Sequence, residues 1–236
     1  MSVALITGAS RGIGAATARC LAQAGYSLLL IARSSPEFHD LAESIRAGGS
    51  RVETAAIDLA DPAAIGGGVR ELCSRGLTPS IVINNAGCAW IGALAEMPLE
   101  EWQRLIQLNL TSVFQVCQAV VPILRTAGGG LIVNVSSHAA RHAFPDWGAY
   151  CTSKAALASF SRCLAEEERT HGIRVSTLTL GSVNTPLWDS ETVQSSFDRR
   201  AMLSADQVAR TLLFLAEQPH HQVVEDLTLM PAVGAF

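Results

Sequence analysis

Short apolar, β-branched runs recur along the chain at 2–7, 27–32, 51–57, 80–84, 130–136, 173–180 and 226–230. Each has the length of a strand buried on both faces, and the longer segments between them carry apolar residues at helical spacing. The pattern predicts strands alternating with helices from end to end. The punctuation agrees. Asp61-Pro62 reads as a helix cap followed by proline at the first helical position, and Gly25 and Gly172 fall where a helix must stop before a strand. Strands joined by helices require right-handed crossovers, so the expected class is α/β, a parallel sheet covered on both faces. No repeat or linker divides the chain, so residues 1–236 are expected to form one domain.

Two segments depart from this rhythm. Gly66-Gly67-Gly68 falls inside a predicted helix, where three glycines cost about 3 kcal/mol relative to alanine, so that helix is expected to be short, frayed or closely packed. The stretch 108–124 is apolar on nearly every face, with Pro122 near its end. A surface helix needs only one apolar stripe, so this one is expected either to meet another subunit or to lie under the chain's own loops.

Composition narrows the chemistry. Hydrophobic residues make up 49% of the chain and the formal charge is −4, so no basic field favours nucleic acid or an anionic membrane surface. No charged leader precedes the first apolar run, and no run is read as approaching membrane-spanning length, so a cytoplasmic protein is expected. The six cysteines show no metal-ligand spacing and are read as reduced, mostly buried thiols, with no metal expected.

The first strand runs into Thr7-Gly8-Ala9-Ser10-Arg11-Gly12-Ile13-Gly14, which opens a helix. Glycines let backbone approach a pyrophosphate, and a helix start supplies N–H groups and positive dipole. Gly8, Ser10, Arg11, Gly12, Ile13 and Gly14 are therefore candidate cofactor contacts. The second strand ends in Ala32-Arg33, where a carboxylate would select NAD. Arg33 and Arg11 instead offer a guanidinium fork for a 2′-phosphate, which favours NADPH/NADP+ over NADH. Asp58, followed by Leu59, stands after the third strand and can accept from an adenine amino group. Asn84-Asn85-Ala86-Gly87 makes a tight turn after the fourth, beside the ribose.

Tyr150 and Lys154 share a helix face one turn apart. Lys154 is the single lysine among 17 basic residues, and Tyr150 is one of two tyrosines. Random placement would put that lysine four residues after a tyrosine about 1% of the time. A charge about 5 Å from a phenol, at an effective dielectric near 20, is worth about 3 kcal/mol and lowers its pKa by about two units. Tyr150 is thus the candidate proton donor to a carbonyl oxygen. Ser137, at the end of the fifth strand, is the candidate to polarise that oxygen, with Ser136 as the competing choice. Asn109, polar within an apolar helix, can hold a water leading to Lys154 or serve as a structural amide.

Taken together, the glycine turn, Asn84 to Gly87, Asn109, Ser137, Tyr150, Lys154 and Gly181-Ser182-Val183-Asn184-Thr185-Pro186 resemble the short-chain dehydrogenase/reductase family over nearly the whole chain. The resemblance implies a Rossmann-type, doubly wound domain with a seven-stranded parallel sheet. It implies a Ser–Tyr–Lys catalytic group, with Asn109 in the proton relay. It gives Val183 and Thr185 roles at the nicotinamide carboxamide and phosphates, and it implies a homodimer or homotetramer built on two long helices. The cofactor half is then about 1–130 and the catalytic half 131–236. Two departures stand out. Leu180 replaces the family's usual proline, so the backbone there is expected to differ. The ending Leu227-Thr228-Leu229-Met230-Pro231 is more similar to sepiapterin-reductase-like members than to 3-oxoacyl-carrier-protein reductases.

The expected reaction is interconversion of a small-molecule ketone or aldehyde with an alcohol. The alternatives are a 3-oxoacyl thioester reductase and a catalytically silent NADPH-binding regulator. The segment 186–202 is the expected lid, with Trp188 and Phe197 as apolar walls and Arg199-Arg200 as anion contacts. His138, His142, Phe144 and Trp147 are expected across the pocket.

Overall fold

The computed structural model describes residues 2–193 and 198–234. Seven strands, β1 Val3–Thr7, β2 Ser27–Ala32, β3 Val52–Ala56, β4 Ile81–Asn84, β5 Gly130–Ser137, β6 Ile173–Leu180 and β9 Asp226–Leu229, form one parallel sheet in the order β3-β2-β1-β4-β5-β6-β9. These are the seven runs expected, each within two residues of its predicted ends.

The helices cover both faces: α1 Gly12–Gln23, α2 Pro36–Ala47 and α7 Ala205–Ala216 on one, α3 Pro62–Ser74, α5 Ser112–Thr126 and α6 Gly148–Glu168 on the other. Successive strand residues point to opposite faces. Ile6, Leu28 and Leu30 therefore enter the core under α1, α2 and α7, while Leu5, Leu29 and Ile31 enter the one under α3, α5 and α6. The caps are those expected: Asp61 Oδ1 accepts from Ala63 N at 2.9 Å with Pro62 beside it, and Gly25 and Gly172 adopt φ of +87° and +71°. Leu180 continues β6, and Gly181 N donates to Leu229 O at 2.9 Å.

The triple glycine does not fray α3, which runs unbroken for 13 residues. A Cβ on Gly68 would lie 2.7 Å from Ile57 Cδ1, whereas one on exposed Gly67 would meet nothing within 4 Å. Only Gly68 is required by packing. Gly67→Ala is expected to stabilise the protein by about 1 kcal/mol and Gly68→Ala to destabilise it, as read from urea midpoints.

The apolar stretch belongs to a 28-residue helical run, Leu99–Thr126. It comprises α4 Leu99–Ile106, a π-helical turn Gln107–Thr111 and α5. By length and composition this run could cross a membrane, which corrects the reading that no segment approaches that length. Its apolar residues serve the core: Val116, Val120 and Leu124 are buried against the sheet. Phe114, 46% exposed, is left on the outer face, edge-on to Phe160 of α6 at 6.4 Å. The cysteines are all free thiols, but only Cys73 and Cys117 are buried and Cys163 is exposed. That corrects the expectation of mostly buried thiols.

Candidate active site

The order of strands reverses at β1, which lies between β2 and β4. Open α/β sheets bind ligands at such a point, beyond the carboxyl ends of the strands. A cleft of about 880 Å³ occupies this edge and runs from the start of α1 to the start of α6.

At the α1 end, Gly8 and Gly12 hold φ of +66° and +55°, where a side chain is strained. Arg11 precedes α1 without a side-chain cap, so the first-turn N–H groups are available to an anion. Gly8, Ser10, Arg11, Gly12 and Ile13 line the cleft, joined by Arg33, Asp58, Leu59, Asn85, Ala86 and Gly87 from the ends of β2, β3 and β4. Gly14 corrects the expectation. It is buried off the cleft wall, and a Cβ there would lie 2.2 Å from Gly8 O, so it serves helix packing. The side chain of Asn85 also turns inward, donating to Thr7 O at 3.0 Å and Gly8 O at 3.3 Å. The N–H groups of Asn85 and Ala86 donate to Thr7 Oγ1 at 3.0 and 3.1 Å, which locks this turn to β1.

At the other end, the start of α6 lays Tyr150 and Lys154 beside the tip of β5. Ser137 hydrogen-bonds the Tyr150 phenol and accepts from Ala139 N at 3.2 Å. Ser136 is buried and turns to the Lys154 carbonyl at 3.5 Å. Of the two serines, only Ser137 therefore meets the phenol. Lys154, 5% exposed, donates to Val135 O at 3.0 Å and holds Nζ 5.8 Å from the centre of the Tyr150 ring.

The electrostatics correct the sequence argument. Burial pushes the phenol up to about 12, and the bond from Ser137 offsets only part of this. Burial pushes Lys154 down to about 8. The ammonium lies close to the ring, 5.8 Å from its centre, but desolvation is the largest influence on the phenol and raises it.

Asn109 is fully buried in the π-helical turn and does not line the cleft. Its Oδ1 accepts from Cys88 N at 2.8 Å, and its Nδ2 donates to Cys88 O at 2.9 Å and Ser153 Oγ at 3.0 Å. The amide thus clamps the chain just after Gly87. Extra residues in a helix often re-aim a functional side chain in this way.

The segment expected as a lid leaves β6 through Val183 and Thr185, which both line the cleft. A short parallel pair, β7 Val183–Asn184 with β8 Leu203–Ser204, closes its base. Trp188 Nε1 donates to Val183 O at 2.8 Å, and Thr192 Oγ1 donates to Ala89 O at 2.7 Å. Arg199 and Arg200 correct the expectation of anion contacts. Arg199 holds Asp189, Asn184 Oδ1 and Thr185 O, Arg200 pairs with Asp198, and neither lines the cleft. His138, Phe144 and Trp147 line the cleft as expected, whereas His142 stacks on His138 from behind, 5.6 Å between rings. Phe197 lies outside the described residues.

The short chain dehydrogenase family model matches residues 2–195, most of the chain, from β1 through β7 and short of β8, α7 and β9. The chain is a short-chain dehydrogenase. Among curated relatives it is 32% identical over 221 residues to a D-threitol dehydrogenase of Mycolicibacterium smegmatis, covering 91% of this chain and 85% of that protein. It is 29% identical over 235 residues to glycine betaine reductase ATRR of Emericella nidulans, spanning 97% of this chain but only 18% of that longer protein. A metagenomic short-chain oxidoreductase solved in complex with NADP superposes with a TM-score of 0.85 at 32% identity, over 98% of this chain and 97% of that one.

Sequence reasoning missed several cleft residues of this short-chain dehydrogenase. Arg104, Cys88, Ser182, Glu191 and Thr192 all line the cleft. Arg104 reaches it from α4 while paired to Glu101 at 2.8 Å, and no local pattern marks it. Ser182 lay within a motif already singled out. Its Oγ is buried without a hydrogen-bond partner among the described residues, as befits a wall that a polar ligand completes.

Proposed function

We propose that this short-chain dehydrogenase is an NADPH-dependent carbonyl reductase acting on a ketone or aldehyde. The observation that carries the reading is the convergence of Ser137, Tyr150 and Lys154 on one cleft whose far end is the uncapped start of α1. The cleft fits a dinucleotide phosphate. The glycine turn and first N–H groups of α1 suit a pyrophosphate, Arg11 and Arg33 a 2′-phosphate, and the orphan Ser182 hydroxyl a polar group of the ligand. The NADP-bound neighbour supports the same choice.

Bound nicotinamide would supply the hydride that reduces the carbonyl carbon. The protein's part is to hold the carbonyl oxygen between the Ser137 and Tyr150 hydroxyls. Ser137 stabilises the developing negative charge, and Tyr150 delivers the proton. Lys154, fixed by Val135 O, holds positive charge behind the phenol as it becomes phenolate. Asn109 positions the Cys88 backbone and makes no contact with the reacting atoms in this reading. We further read the chain as a single cytoplasmic domain that associates through the α5 and α6 faces bearing Phe114 and Phe160.

The test is NADPH consumption by the purified protein over ketones, aldehydes and acyl thioesters. Turnover of simple carbonyls is expected. Turnover of thioesters alone would favour the 3-oxoacyl reductase, and cofactor binding without any turnover a regulator. Arg11→Ala/Arg33→Ala is expected to raise the KM for NADPH at least tenfold while moving that for NADH less than threefold, since each charge-assisted bond contributes roughly 1.5–3 kcal/mol.

A further inference from the structure

Beyond Tyr150 the cleft changes character. Trp147 packs edge-on against Tyr150, ring centres 5.5 Å apart at 70°, and against Trp188 of the lid, 5.8 Å apart at 61°. Phe144 and Leu187 extend this wall. The corner is fixed: Trp188 is tied by its indole N–H to Val183 O, and Trp147 lies one residue before the helix that carries Tyr150. Two rings meeting at a steep angle leave a concave, apolar corner beside the phenol, shaped for a flat group to stack on one ring and meet the edge of the other.

The charges around this corner are one-sided. Glu191 is the carboxylate that lines the cleft here. The nearby guanidinium groups are engaged, Arg199 with Asp189 and Arg200 with Asp198. Lys154 is buried behind Tyr150. An anionic substituent entering this end would lose water and face a carboxylate; of the basic groups that line the cleft away from Arg11 and Arg33, Arg104 is already paired with Glu101 and His138 packs on His142 and Phe144. Such a repulsive element sets specificity as much as an attractive one.

We infer that the substrate is an uncharged aryl aldehyde or aryl ketone whose ring lies in the Trp147–Trp188 corner. The inference rests on the carbonyl-reductase reading and narrows it. It separates this site from one built for carboxylated, sulfonated or phosphopantetheine-linked carbonyls.

Three aldehydes test it under NADPH oxidation: 4-methylbenzaldehyde, 4-formylbenzoate and cyclohexanecarbaldehyde. The expected order of kcat/KM places 4-methylbenzaldehyde about tenfold or more above each of the others. Trp188→Leu is expected to cut the aryl-to-cyclohexyl ratio about fivefold to tenfold, and Trp188→Phe, which keeps a ring, to restore most of it. Equal or better use of 4-formylbenzoate, or a ratio indifferent to Trp188→Leu in a folded variant, overturns the inference. Tryptophan fluorescence of the NADP+-loaded protein titrated with 4-methylbenzyl alcohol gives an arm independent of turnover. Saturable quenching without turnover of any aldehyde sinks the reductase reading and leaves the aryl corner standing. Turnover without aryl preference sinks the corner and leaves the reductase.

Discussion

Tyr150→Phe is expected to lower kcat for carbonyl reduction by at least a hundredfold while leaving the Kd for NADPH within threefold. The substitution removes one oxygen and keeps the ring that packs on Trp147. The loss is that of a positioned general acid, about 10²–10⁴ in rate. Stopped-flow turnover with a fluorescence titration of NADPH separates the two effects, and unimpaired turnover would remove Tyr150 from the mechanism. The phenol's upward shift to about 12 gives a companion pH signature. As an acid it stays protonated through neutral pH, so proton delivery from Tyr150 in reduction should be flat from pH 6 to 7 and decline as Lys154 loses its charge around pH 8. As a base it must first ionise, so alcohol oxidation should climb about tenfold per pH unit up to about pH 8 and flatten above it as Lys154 loses its charge. The buried phenol thus favours reduction near neutrality.

Lys154→Met should separate activity from stability in opposite directions. Turnover is expected to fall at least a hundredfold, because no ammonium remains to balance the phenolate left after proton transfer. Stability at pH 7 is expected to rise by about 1–2 kcal/mol. Lys154 falls from 10.5 unfolded to about 8 folded, so between those values the unfolded chain binds the extra proton and wild-type stability increases with pH. Below pH 8 the folded protein bears a desolvation penalty on the order of 3 kcal/mol, which methionine does not carry. The lost bond to Val135 O returns about 1 kcal/mol of it. The variant's advantage should shrink from pH 8 to 10.5. Urea denaturation at pH 7 and pH 10 measures this, and a variant less stable at pH 7 would show that the ammonium is better solvated than its burial implies.

Apolar runs and glycine punctuation made the sheet legible, because a strand covered on both faces has nowhere to place polar residues. The isolated Lys154 made the chemistry legible, because a chain that otherwise uses arginine marks the position. Features made by distant segments meeting were hidden. The β7–β8 pair joins residues about 20 apart with two residues on each side, too short for any periodicity. Asn109 was visible as an oddity, but its grip on Cys88 and the π-helical turn that aims it exist only in three dimensions. Arg199 looked available until Asp189 and Asn184 were brought against it. The upward direction of the Tyr150 shift is hidden from the sequence for a related reason. Spacing along a helix gives the distance to a charge, whereas desolvation depends on everything packed around both groups.

That small β7–β8 ladder has an evolutionary corollary. Because it pins together the two ends of the excursion between residues 185 and 202, the intervening chain can lengthen, shorten or be exchanged without tugging on β6 or α7. Added residues between fixed ends cost little, since closure entropy grows only logarithmically with length. The same scaffold can thereby accept grafted lids of different chemistry while the dinucleotide end is inherited unaltered.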